Sequence, residues 1–96
     1  MNEDQIAEVG IDEAGSLYVR PVTKAFPYIY REAMEVGWDP ANRRLFGPKP
    51  REWSYADWFR QITRAAREQS TVLRITPATV WTNVSEQLRR EIEAVG

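Results

Sequence analysis

The side chains best equipped for chemistry in this chain are Tyr28, Tyr30, Arg31, Arg51 and Trp81, and that chemistry is recognition. Tyr, Trp and Arg combine large area, few rotamers and planar hydrogen-bonding groups, so their truncation at a contact is costly. Nine of the eleven aromatic residues fall between Phe26 and Phe59, interleaved with Arg31, Arg43, Arg44 and Arg51. A domain this small does not easily bury so many rings. Trp53 and Trp58 are explained by a helix start, and Phe46, Phe59 and Trp38 are expected core rings. Tyr28, Tyr30, Arg31 and Arg51 lie beside or near prolines in stretches of weak periodicity, and Trp81 sits on a strand too short to bury it alone. These five are the candidate partner-binding residues. Ordinary packing of the middle segment onto a sheet is the competing reading of the same side chains.

Catalysis has little to work with. The chain has no His and no Cys, which removes the usual general base, thiolate nucleophiles, disulfides and most structural zinc sites. A reaction would then need paired carboxylates or a hydroxyl activated by Lys. Lys24 and Lys49 are the only lysines, both near proline, and no Ser stands in a nucleophile elbow. Asp12 and Asp39 read as turn openers, and Asp57 and Glu86 as helix-start residues. The expectation is a non-enzyme with no catalytic residue. Glu3-Asp4 and Asp12-Glu13 match no EF-hand spacing, and the five glycines are scattered, so neither a metal site nor a cofactor is expected.

Charge narrows the partner. Arg interleaved with aromatics suits phosphate contact and base stacking, but a pI near 5.5 and a net charge of −1 weigh against nucleic acid. Residues 1 to 19 carry five acids and no base, whereas 20 to 74 carry eleven bases against six acids. That separation could favour self-association or a polar partner, although a solvated charge distribution is the favoured reading. Arg60, Arg64 and Arg67 read as a solvated helix face. With 43% hydrophobic and 28% charged residues, no long apolar run and a polar start at Met1-Asn2-Glu3-Asp4-Gln5, the expectation is one cytoplasmic domain over residues 1–96 with no membrane contact.

Local signals define the elements that must position these residues. Glu8-Val9-Gly10-Ile11-Asp12-Glu13-Ala14-Gly15 and Glu35-Val36-Gly37-Trp38-Asp39-Pro40-Ala41-Asn42 share a grammar at an offset of 27 residues. Asp opens each turn, and Gly15 or Asn42 is placed to take the left-handed conformation that closes it. The first hairpin pairs residues 6–11 with Ser16–Val22; the second pairs Met34–Trp38 with Arg43–Gly47. Between them Pro27 can start one or two helical turns, with Ile29, Tyr30 and Ala33 on the inner face. Gly47-Pro48-Lys49-Pro50-Arg51 is a loop, because two prolines remove backbone donors. Ser54 to Gln69 is the clearest helix, with Ser54 as N-cap, Asp57 completing a capping box and Trp53 stapled to Trp58. Tyr55, Trp58, Phe59, Ile62, Ala65 and Ala66 form its apolar stripe. Val72–Thr76 and Thr79–Thr82 are short strands separated by Pro77, and Asn83 or Ser85 caps a last helix buried through Leu88, Ile92 and Val95. The sum is an α+β fold: an antiparallel sheet built from two β-hairpins plus one or two short strands, backed by two helices.

The segments Leu17-Tyr18-Val19-Arg20-Pro21, Phe26-Pro27-Tyr28-Ile29-Tyr30-Arg31-Glu32-Ala33, Gly37-Trp38-Asp39, Pro50-Arg51-Glu52-Trp53-Ser54-Tyr55, Trp58-Phe59 and Thr79-Val80-Trp81-Thr82-Asn83 carry a resemblance. They are similar to small bacterial proteins carried on mobile integron gene cassettes, and more loosely to small α+β immunity proteins. The resemblance implies an accessory protein of a bacterium and assigns no reaction. The expectation is therefore a non-catalytic protein-binding or self-associating module, adaptor or immunity-like. A homodimer is expected, since aromatic-rich patches make interface cores. The alternatives are a binder of a small ligand or nucleic acid, or an enzyme.

Overall fold

A computed structural model describes residues 2–95; Met1 and Gly96 lie outside the described residues. The chain runs through β1 (Asn2–Ile11), β2 (Leu17–Pro21), a 3-10 turn (Ile29–Arg31), β3 (Gly37–Asp39), β4 (Arg44–Phe46), α1 (Tyr55–Glu68), β5 (Thr71–Arg74), β6 (Val80–Thr82) and α2 (Glu86–Val95). The sheet order is β3-β4-β2-β1-β5, with β6 also paired to β1. Both expected hairpins form, pairing β1 with β2 and β3 with β4 in antiparallel register.

The sheet is mostly antiparallel, as expected, and departs from that at one edge. β5 and β6 both run parallel to β1, in register Asn2↔Thr71 to Gln5↔Arg74 and then Glu8↔Val80 to Gly10↔Thr82. β1 is accordingly longer than its hydrophobic part, because its polar first residues find partners near the other end of the chain. Pro77 breaks the outer strand as expected, and the gap is filled by a side chain: Thr79 Oγ1 donates to the Ile6 carbonyl at 2.7 Å. Opposite that gap the β1–β2 register shifts between Ile6 and Glu8. The extra residue puts Ile6 and Val9 on one face despite their odd spacing.

That face holds the core. Ile6, Val9, Leu17, Val19, Leu45 and Leu73 meet Phe59, Ile62, Ala65, Ala66 and Trp58 of α1, with Ile92 of α2 and Phe26, Ile29, Ala33 and Val36 of the connection. Ser54 caps α1: its side chain accepts from the Asp57 amide at 3.1 Å while Asp57 Oδ2 accepts from the Ser54 amide at 3.3 Å. Ser85 rather than Asn83 caps α2, accepting from the Leu88 amide.

Two local expectations fail for identifiable reasons. In the second hairpin the left-handed residue is Arg43 (φ 53°), one position beyond Asn42, whereas Gly15 (φ 87°) takes that role in the first as expected. Asp39 accepts hydrogen bonds from the Ala41 and Asn42 amides and from Asn42 Nδ2, which holds Asn42 inside the turn and passes the reversal to its neighbour. Phe46 is exposed, not core, because strand alternation turns Leu45 inward and Phe46 outward, where its ring lies over Gly37.

Candidate functional site

The connection from β2 to β3 lies along α1 in the opposite direction. At its start Gln69, the C-cap of α1, donates from Nε2 to the Tyr28 carbonyl at 3.1 Å. In its middle Glu32 and Ala33 border Gln61, Arg64 and Ala65, and near its end Glu35 shares a groove with Arg51, Glu52, Trp53 and Trp58 at the helix start. Ile29, Ala33 and Val36 point inward and fasten the segment to the core. Alternate side chains are thereby forced outward. Met34 is 94% exposed, and Tyr28 and Tyr30 are each 54% exposed.

Three of the five candidate residues meet at one end of this ridge. The rings of Tyr28 and Tyr30 pack edge to face at 6.5 Å, and the Arg31 guanidinium stacks 4.8 Å above Tyr28 and 6.0 Å from Tyr30. Tyr30, expected to face inward with Ile29 and Ala33, faces solvent, since a tight 3-10 turn separates neighbouring side chains by about 120°. Arg51 belongs to the far end, in the groove of about 430 Å³ beside Trp53 and Trp58. The stapled rings of that Trp pair are 4.9 Å apart, with Trp53 exposed and Trp58 buried. Met34 and Trp53 extend the apolar line between the two ends. Neither was singled out as a binding residue in the sequence; the signal for Met34 was its position between the inward Ala33 and Val36.

Trp81 lies apart from the ridge. It packs against the core from β6, with Arg89 of α2 stacked 5.1 Å from its ring and its indole N–H buried without an acceptor. Its surroundings are those of a packed residue, which is the competing reading given for it above.

The other face of the sheet holds a polar cluster that sequence reasoning did not assemble. Glu8 accepts from Tyr18 Oη at 2.8 Å, Thr82 Oγ1 at 2.6 Å and Arg20 Nε at 3.3 Å. Arg44 stacks 3.8 Å over the Tyr18 ring and forms an ion pair with Asp39 at 4.0 Å. Burial pushes the Glu8 carboxyl up, but the donors Thr82, Tyr18 and Arg20 outweigh it and hold the group below its ordinary value. Burial, followed by the bond to Glu8, raises the Tyr18 hydroxyl. For Asp39 the Asn42 side chain and backbone lower the carboxyl. Tyr18 is only 4% exposed because its ring is held between Gly10, its cross-strand partner, and the Arg44 guanidinium. The alternation Glu8/Gly10, Tyr18/Arg20, Arg44/Phe46 was the available signal, but joining those positions required the strand order.

The acidic amino-terminal stretch is largely consumed inside the chain. Glu3 pairs with Arg74, and Asp4 Oδ2 accepts from the Thr23 and Lys24 amides. Asp12 closes its turn by accepting from the Ser16 amide. Most acids of that stretch are thus engaged within the chain. Among the described residues no helix is long and apolar enough to cross a membrane.

The class is α+β: a mixed sheet of six strands with two helices packed on one face. The chain belongs to the family described as integron cassette protein Hfx_Cass5, whose model matches residues 4–79. A solved structure titled "Structure from the mobile metagenome of North West Arm Sewage Outfall: Integron Cassette Protein Hfx_Cass5" is 47% identical, covering 99% of this chain and 96% of that one with a TM-score of 0.51. A search of curated proteins found no match.

Proposed function

We propose that this cassette protein is a non-catalytic accessory module that binds another protein through the ridge, with Tyr28, Tyr30 and Arg31 as anchors. The observation that supports this most is the run of exposed apolar side chains, Tyr28, Tyr30, Met34 and Trp53, along a segment whose intervening residues are firmly buried. A rigid backbone presenting rings costs little entropy on binding. The ridge charges alternate, Arg31 and Arg51 against Glu32, Glu35 and Glu52, which suits a mixed protein surface better than a phosphate backbone.

The test is site-specific photocrosslinking from position 30 in the bacterial host, with the exposed α2 position Glu91 as control. The reading expects one discrete adduct from position 30, absent from the control. Affinity for the partner so identified should then fall by about 2 kcal/mol in Tyr30→Ala and Arg31→Ala, with unfolding unchanged. Equal labelling from both positions, or variants that lose folding stability and keep association, would refute it.

A further inference from the structure

We infer that the face of the sheet turned away from the helices is a self-docking surface for a second copy of this chain. Both helices and the β2–β3 connection pack on one side of the sheet, and the opposite side carries Glu8, Tyr18, Arg20, Val22, Arg44, Phe46, Val80 and Thr82 by strand alternation. Three of the large exposed hydrophobics, Val22, Phe46 and Val80, stand there, clear of the ridge.

Relief and charge both favour a copy of the same surface. Tyr18 lies over Gly10 with the Arg44 guanidinium laid on its outer face, and Phe46 lies over Gly37, so these long side chains are folded down along the sheet as a plate. Sheets stacked face to face approach to about 10 Å, which such a plate permits. Every acid on this face is paired within the chain, Glu3 with Arg74, Glu8 with Arg20 and Asp39 with Arg44, so the face is electrically balanced. A balanced face neither repels its own copy nor attracts a charged polymer, and a two-fold axis brings each apolar rim against the other's. A stable interface needs roughly 800 Å² from each partner, and in a molecule of 30 × 29 × 24 Å one whole broad face supplies about that.

The experiment is sedimentation equilibrium on the full chain up to about 200 µM, with Val80→Asp, Val22→Asp and Tyr30→Ala. Val80 and Val22 are more than half exposed, so these variants retain the monomer fold, which thermal unfolding at low concentration checks. The inference expects a wild-type dimer, weakened about tenfold or more by each Asp and unaffected by Tyr30→Ala. A strictly monomeric wild type would overturn it, as would a dimer indifferent to both Asp variants. Dissociation by Tyr30→Ala alone would likewise overturn it and place self-association on the ridge.

Discussion

Replacing Gly10 with Ala should destabilise this protein, although the general effect of that change has the opposite sign. Where the backbone permits, Gly→Ala stabilises by about 0.4–1 kcal/mol, because the unfolded chain loses freedom. Gly10 lies in a regular strand at an unexceptional φ, so backbone strain does not oppose Ala. The obstacle is Tyr18. A Cβ built at position 10 would fall inside the ring's contact surface, 2.8 Å from Cε2 and closer still to Cζ and Oη. Relieving that overlap lifts the ring by about an ångström, at the usual overpacking cost of about 1–3 kcal/mol. The lift also strains the 2.8 Å bond to Glu8, of a type worth about 1.5–3 kcal/mol, and the Arg44 stack at 3.8 Å. Ring tilt relieves some of each, so these figures do not add. A net loss of about 2 kcal/mol is expected, near 10 °C in melting temperature for a chain of this length. Urea unfolding of Gly10→Ala in the wild-type and Tyr18→Val backgrounds measures the coupling directly. With the ring gone, Ala should be neutral or stabilising. A stabilised Gly10→Ala, or an equal loss in both backgrounds, would refute the argument that the ring is what keeps position 10 empty.

Two further outcomes are expected. Ser54→Ala should cost about 0.5–2 kcal/mol through loss of the cap on α1, and an unchanged unfolding midpoint would contradict the capping box. Because Glu8 titrates below its ordinary value of 4.5 in the fold, its contribution is present at neutral pH and is lost as pH falls through the lower folded value. Tyr18 titrates above its ordinary 10.0, so its contribution holds below pH 10 and is lost as pH rises further. Stability against pH should show both declines, with the acid slope shallower in Glu8→Gln; identical acid slopes would remove Glu8 from the account.

What the sequence made legible was whatever depends on near neighbours. Ser54, Asp57, Trp53 and Trp58 lie within six positions, and their cap and staple form as read. Asp12 and Gly15 likewise closed their own turn. The second turn resembles the first in letters, yet Asn42 has a side chain that Asp39 can hold and Gly15 has none, so the left-handed residue moved to Arg43. Strand direction at the sheet edge was illegible for another reason: Val72–Thr76 reads the same whether it joins β1 parallel or antiparallel, and only the crossover through α1 decides. The candidate site divided along the same line. Tyr28, Tyr30 and Arg31 are neighbours in sequence and meet in space, whereas the place of Trp81 depended on α2 and Arg89.

The position of β1 bears on how the protein can be made. Its residues 2–5 pair with 71–74 and its residues 8–10 with 80–82, so a strand that pairs with three others waits for segments about seventy residues later. Contacts so distant in sequence make folding slow, since the chain must close a long loop before they are rewarded. During synthesis the β1–β2 hairpin emerges first with one edge bare, an invitation to mispairing until α1 has crossed over and delivered β5. Folding is thus postponed to near-completion of the polypeptide. A cell that makes this chain must tolerate that exposed intermediate until β5 and β6 arrive, so translation rate, which sets how long it persists, and expression level, which sets its concentration, bear on how much chain reaches the folded state.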